Sequence, residues 1–264
     1  MNIVLAAIDD SAAMLPVSKF APVLAELLGA QVETLHVEAS DSIRATTAFR
    51  ESLRVPFHRR RGHVATEIAA AAKEHGVIAV VVGTRGAPSA SAAPAGHVTM
   101  ELVQLLDVAV AVVPPQAETG PINRVLVAVE NDGESSTLRH LVHTLRRRPK
   151  VEIVALHVFE PDRLPLFGDE PVLEAEAFTA EFGRRVLRSN ERDVPIELRV
   201  GDVGNSLRET ATELHADLVV IAWHRDLASG HGRLVRSMLA QAAVPVLLLP
   251  IARELAPTSG TDVV

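Results

Sequence analysis

Short apolar runs alternate with amphipathic stretches along the first 115 residues, and the same alternation returns after residue 121. Runs with no polar interruption, such as Val77–Gly83 (VIAVVVG), suit strands buried on both faces, as in a parallel sheet. The pattern predicts strands over Asn2–Ile8, Val32–Val37, Pro56–Arg61, Val77–Gly83 and Val108–Val113. Between the first two, Met14, Val17, Ala21, Leu24 and Leu28 form one apolar stripe at helical spacing, with Gly29 as its stop. Glu67 to His75 reads as a second helix, ended by Gly76. Alternating strand and helix units imply a doubly wound α/β sheet with right-handed crossovers.

The pattern is a duplication. NIVLAAI at Asn2–Ile8 returns as RVLVAV at Arg124–Val129, and each run is closed by an acid, Asp9 or Glu130. TLHV at Thr34–Val37 returns as ALHV at Ala155–Val158. Gly62-His63-Val64 matches Gly201-Asp202-Val203, AVVVG at Ala79–Gly83 matches LVVIA at Leu218–Ala222, and VAVVP at Val110–Pro114 matches VLLLP at Val246–Pro250. Landmarks in the same order with small changes of offset mean two Rossmann-like domains in tandem. The expected boundaries are 1–115 and 121–251, with a polar linker from Gln116 to Pro121 and a tail over 252–264. Copy two carries an insertion, where Pro171 to Asn190 is expected to form a helix opened by Pro171.

Composition narrows the chemistry. The chain has 264 residues, 48% of them hydrophobic and 22% charged, which suffices for two packed cores. A formal net charge of −7 argues against a general nucleic-acid binder. The absence of cysteine removes disulfides, thiolate metal sites and cysteine nucleophiles. The apolar start lacks a basic flank and runs into Asp9 and Asp10, so it reads as a strand rather than a signal peptide. No run approaches the ~18 apolar residues of a membrane span, and a cytoplasmic location is the expectation.

Open α/β sheets bind ligands beyond the carboxyl ends of their strands, where the strand order reverses. In copy one the informative strand ends are Asp9 and Gly83. After Gly83 come Thr84, Arg85 and Gly86, then nine residues, then Gly96, His97, Val98 and Thr99. Glycines let backbone N–H groups approach phosphate oxygens, and a helix starting near Val98 adds its positive end. Asp9 at the first strand tip suits ribose hydroxyls. The residues by themselves leave two readings open: an anion site, or a glycine turn that only closes a strand–helix junction.

This G-x2-G-x9-G pattern, with Asp9-Asp10-Ser11 and Leu35-His36-Val37, resembles the ATP-binding members of the universal stress protein family, and the likeness runs from Asn2 to Pro250. The resemblance implies a five-stranded parallel sheet of order 3-2-1-4-5 in each copy. It also implies ATP or a related adenine nucleotide in the first domain, held by Asp9, Ser11, Val37, Gly83, Arg85, Gly86, Gly96, His97, Val98 and Thr99. It further implies pairing of the fifth strands, so that Val108–Val113 and Val246–Leu249 make the chain a pseudo-dimer, with a homodimer between chains in addition. The function it points to is stress-response regulation, with slow ATP hydrolysis at most, since no general base is evident. Two residue choices depart from the family pattern. His97 stands where a Ser or Thr is usual, with Thr99 as the substitute hydroxyl, and the loop Ala87–Ala95 carries no charge. Arg85 is the one cation inside the motif, and Arg59 to Arg61 are the neighbouring run. A scaffold with both nucleotide sites vestigial, and a hydrolase or transferase acting at Asp9, are the alternatives.

Copy two has lost the motif. Ala222 and Arg225 replace the first two glycines, and Gly232 follows too soon. Its pocket is expected to be self-filled, with Arg225 or Arg236 paired to Glu130 and Trp223 adding bulk. The cluster His224, Arg225, His231, Arg233 and Arg236 reads as a solvated basic loop, with an anion or partner site as the alternative. No metal is expected: His58 with His63, or His140 with His143, lack a third ligand nearby in sequence. His36 and His157 occupy matching strands, which points to a structural role.

Overall fold

The computed structural model describes residues 1–9, 14–38, 55–74, 76–84, 95–129, 136–159, 177, 180–181, 194–227 and 230–251. The first copy contains β1 (Ile3–Ile8), α1 (Met14–Leu28), β2 (Gln31–Glu38), β3 (Phe57–Arg61), α2 (Val64–Ala72), β4 (Val77–Gly83), α3 (His97–Leu105) and β5 (Ala109–Val113). The second contains β6 (Arg124–Ala128), α4 (Ser136–Arg146), β7 (Glu152–Phe159), β8 (Ile196–Val200), α5 (Val203–Glu213), β9 (Leu218–Trp223), α6 (Gly230–Gln241) and β10 (Val246–Pro250). All strands form one sheet of order β3-β2-β1-β4-β5-β10-β9-β6-β7-β8. Each half is parallel with order 3-2-1-4-5, as the resemblance implies.

The halves join through their fifth strands. β5 and β10 run antiparallel, with Val110 opposite Leu248, Ala111 opposite Leu247 and Val112 opposite Val246. This pairing covers the edge that each half would otherwise expose. The outer edges are β3 and β8. β3 reads FHRRR, and three adjacent cations on an edge discourage pairing with another chain.

Two apolar layers cover the sheet, and neither belongs to one half. One face packs α1 and α4 on Val4, Ala79, Ala111, Val125, Val220 and Leu247. The other packs α2, α3, α5 and α6 on Leu5, Val80, Val112, Val219 and Leu248. α1 also meets α4 across the join, where Arg148 Nε donates to the carbonyl of Leu27 at 3.2 Å.

Local rules account for the element ends. α1 stops where Gly29 turns left-handed at φ +67°. Gly76, at φ +74°, turns into β4 and accepts from Ile3 N at 3.1 Å. α2 begins at Val64, three residues earlier than expected from Glu67, and ends at Ala72. Its N-cap is His63, which makes no side-chain cap bond. In copy two the matching Asp202 accepts from Asn205 N at 2.8 Å, an ordinary capping bond. The helix expected over Pro171 to Asn190 lies almost wholly outside the described residues; Ala177, Ala180 and Glu181 are helical and exposed. The tail over 252–264 lies outside them too.

Gly76 tests the backbone argument directly. A Cβ there meets the Met1 carbonyl oxygen at 2.9 Å, on top of the positive φ. Gly76→Ala is expected to cost about 1–2 kcal/mol, read as a lower urea midpoint. At Gly29 the neighbour is the far end of the Arg148 side chain, which can move aside, so Gly29→Ala should cost less. Equal losses at the two positions would contradict this account.

Candidate functional site

The strand-order reversal in copy one lies between β1 and β4. Their register sets Ala6 against Val81, which carried two residues further places Ile8 level with Gly83. The exposed Asp9 and the half-buried Gly83 therefore share one end of the sheet, as expected. β2 reaches the same end, and its half-buried Val37 packs on the layer beneath. His36 ties β2 to this end: its Nδ1 lies 3.1 Å from the carbonyl of Ile8, the residue before Asp9. His157 repeats the contact with Val129 at 2.8 Å. A second tie is repeated as well, since Arg60–Glu74 and Arg199–Glu213 are both ion pairs of 2.5 Å. These bonds between neighbouring elements explain why the two copies share His, Arg and Glu at matching positions.

Beyond β4 the chain is pinned at both ends of the glycine loop. Thr84 donates to the Val113 carbonyl through its N–H (3.0 Å) and its hydroxyl (3.2 Å), and its own carbonyl accepts from Gly96 N at 2.8 Å. Residues 85–94 between these pins, with Arg85 and Gly86, lie outside the described residues, as does Ser11. Gly96 is the N-cap of α3 at φ −61°, a conformation open to any residue, so its contribution is the lack of a side chain. No described residue accepts from the backbone N–H groups of His97, Val98 and Thr99, and Gly96 brings no cap side chain. Three donors and the positive end of α3 thus face the loop.

Two side-chain expectations change. The Thr99 hydroxyl donates to the Gly83 carbonyl at 2.8 Å and is buried, so its proton is spent on holding α3 to β4. His97 is 86% exposed and turns along α3 toward Glu101, 3.6 Å away, rather than back to the loop. The Arg59–Arg61 run is paired. Arg59 and Arg61 both bind the Glu38 carboxylate, Arg61 at 3.2 Å, while Arg60 takes Glu74 and stands 3.7 Å from Glu67. Burial pushes the Glu38 carboxyl up, but the hydrogen bonds and charges of Arg61 and Arg59 outweigh it and hold it below the usual carboxylate range. Those cations are therefore balanced locally and add little positive field to the loop.

The filling expected in copy two involves Glu130, which lies outside the described residues. Among the described residues, Arg225 pairs with Asp107 of the first half, and Arg236 donates to the Leu227 carbonyl. A Cβ on Gly232 would run into the carbonyl, C and Cα atoms of Leu227, so the Leu227 backbone sits directly on α6. Arg225, at the place of Gly86, keeps a left-handed φ of +60°. Trp223 is buried in the layer under α5 and α6, where Val235 and Met238 lie. A cleft of about 440 Å³ between α5 and α6, lined by Arg208, Thr212, Met238 and Val244, lies toward the amino ends of β9 and β10, away from either motif.

The model of the universal stress protein family matches residues 38–114 and 121–250. The chain belongs to this family. The two matched segments correspond to the two copies, although in copy one the match starts at the end of β2, so Asp9 is placed by the sheet topology. A universal stress protein from Archaeoglobus fulgidus has the same fold, at 15% identity and a TM-score of 0.69, covering 94% of this chain and 98% of that one. A functionally unknown protein of Pseudomonas aeruginosa follows at 17% identity and a TM-score of 0.65, over 94% of this chain and 92% of that one. A third structure, a universal stress protein of the same species, has 17% identity and a TM-score of 0.62, with 94% and 92% covered. No curated protein sequence matches the chain.

The site has one feature that sequence spacing missed. His58 bonds Glu33 at 2.7 Å and does not approach a second histidine ligand. His63 instead reaches Glu101, with Nε2 to Oε2 at 3.8 Å, beside His97. The i,i+4 pair His97–Glu101 on α3 was visible in the sequence. Its partner sits at the start of a different helix, and only the packing of α2 on α3 joins them. Among the described residues, no helix is long and apolar enough to cross a membrane.

Proposed function

We propose that this universal stress protein binds ATP or a related adenine nucleotide at the copy-one site, and does so once per chain. The observation that carries the reading is the convergence of Asp9, Val37, Gly83 and three N–H groups of α3 that no described residue accepts from, at the strand-order reversal. The base would lie against the end of β2, the ribose at Asp9 and the phosphates at the α3 start. Arg85, Gly86 and Ser11 belong to this proposal on the family motif alone. The role is stress-response regulation in the cytoplasm, in which occupancy alters assembly or partner choice. With β5 and β10 consumed by each other, a homodimer would use the outer strands or the helical faces.

A second reading, a scaffold with both sites vestigial, draws on the paired state of Arg59–Arg61 and the inward Thr99 hydroxyl. Thermal shift with ATP, ADP, AMP and cyclic AMP separates the two, because a ligand that binds only the folded state raises its stability by about 2.7 kcal/mol at a hundredfold excess over Kd. The expected result is stabilisation by at least one adenine nucleotide and a titration stoichiometry of one. Gly83→Val should abolish it, and Ala222→Val should leave it intact. Two nucleotides per chain, or no shift with any of the four, would overturn the one-site reading.

A further inference from the structure

We propose that His63, His97 and Glu101 form a mononuclear site for a divalent transition metal of the Zn2+ class. Their ligand atoms all lie within 4.8 Å of one another. Glu101 Oε2 stands 3.6 Å from His97 Nε2 and 3.8 Å from His63 Nε2. Two ligands at ~2.0–2.1 Å from a tetrahedral Zn2+ stand roughly 3.3 Å apart, so a bound ion needs the three groups to close by only a few tenths of an ångström to about 1.5 Å. The two imidazoles can supply that movement, since His63 is 60% exposed and His97 is 86% exposed. Two imidazoles and one carboxylate favour zinc, cobalt, nickel or copper over magnesium or calcium, which prefer oxygen ligands.

Two further observations point the same way. Glu101 Oε2 is shielded from solvent and has no hydrogen-bond partner among the described residues. A shielded carboxylate oxygen facing two imidazoles and satisfied by neither asks for an explanation, and a cation between them supplies one. His63 also has the support that metal-binding histidines carry. Its Nδ1 lies 3.1 Å from the Thr66 hydroxyl, and with Nδ1–H donating there, Nε2 turns its lone pair toward Glu101. The rival account is a surface ion pair of either histidine with Glu101, at distances too long for hydrogen bonds.

Copy two shows what the same places look like without a metal. Asp202, at the position of His63, caps α5 by accepting from Asn205 N. Ser237, at the position of Glu101, accepts from Arg208 Nη1 at 2.9 Å. In copy one the capping acid is replaced by a histidine that does not cap, and the serine by a glutamate. Both changes build the cluster in the copy that keeps the glycine motif. Three protein ligands leave a coordination position for water or an anion oxygen. That this oxygen belongs to a nucleotide phosphate rests on the reading above; metal binding itself does not.

The experiment uses untagged, chelator-treated full-length protein and Zn2+ as its chloride, without nucleotide. Titration calorimetry should give one Zn2+ per chain, and Co2+ substitution should give the intense visible absorption of a tetrahedral site. His63→Ala, His97→Ala and Glu101→Gln should each weaken binding by more than tenfold, and Thr66→Val by roughly tenfold. His58→Ala, which touches only the Glu33 pair, should leave it unchanged. Circular dichroism of each variant checks that the fold is kept. Absence of Zn2+ binding, or binding that survives Glu101→Gln and both histidine variants, overturns the site. An ATP titration of the zinc-loaded and zinc-free protein is a separate arm: metal binding without any ATP effect fails only the phosphate step.

Discussion

Leu247→Asp should destabilise both halves of the molecule together, by about 4 kcal/mol or more. Leu247 is 1% exposed at the join, where it faces Ala111 of β5. Its side lies in the layer that α1 and α4 share, and that layer runs unbroken from Val4 to Leu249. A carboxylate there loses its water and finds no cation in an apolar layer, and the leucine volume is lost as well. For a chain of this size the melting temperature should fall on the order of 10 °C. Leu105→Asp is the control, because Leu105 is 45% exposed and should change stability by no more than ~0.5 kcal/mol. The diagnostic is where protection is lost. Amide exchange should rise in β1 and in β6 together, since both core layers cross the β5–β10 join. Loss confined to residues after 121 would mean that the halves fold independently and the shared layers carry no coupling.

The sheet was readable because its strands are nearly uninterrupted apolar runs, a pattern that only a two-face-buried strand accommodates. Val77–Gly83 matches its strand at both ends, β1, β3 and β5 each start one residue later than the pattern predicts, and β2 extends one residue further at each end. Strand order and the β5–β10 pairing were not in the periodicity; the family resemblance supplied them. α2 was started too late because its N-cap is His63, which is no capping residue, whereas Asp202 marks the same boundary in copy two. At the site, the sequence brought Asp9, Val37, Gly83 and the α3 start to one place, since all follow from strand ends. Side-chain direction was not legible. Thr99 and the Arg59–Arg61 run are settled by Gly83's carbonyl and by Glu38, Glu67 and Glu74, partners that sequence spacing does not reveal. The His63–His97–Glu101 cluster is hidden for the same reason, as is the approach of the Leu227 backbone to Gly232.

Trp223→Ala should cost about 3–5 kcal/mol, and its effect should fall on copy two's fold without opening a nucleotide site there. Trp223 is 2% exposed at the end of β9, in the layer with Leu207, Val235, Met238 and Leu239. Thr84 occupies the matching position in copy one, where it pins the glycine loop through Val113. Copy two has thus exchanged a hydrogen-bonded pin for a large apolar anchor at the same strand end. Removing the indole leaves a cavity bounded by helices that cannot fully collapse. Copy two should still take no nucleotide, because Leu227's backbone rests on Gly232 independently of the indole. Two measurements separate these effects. Chemical denaturation should show the large loss, and nucleotide stoichiometry should stay at the wild-type value. A second nucleotide bound by Trp223→Ala would show that the indole, and not the Leu227–Gly232 contact, keeps copy two shut. A loss below ~1 kcal/mol would show that the layer repacks around the missing ring, which close-packed valine and leucine neighbours resist.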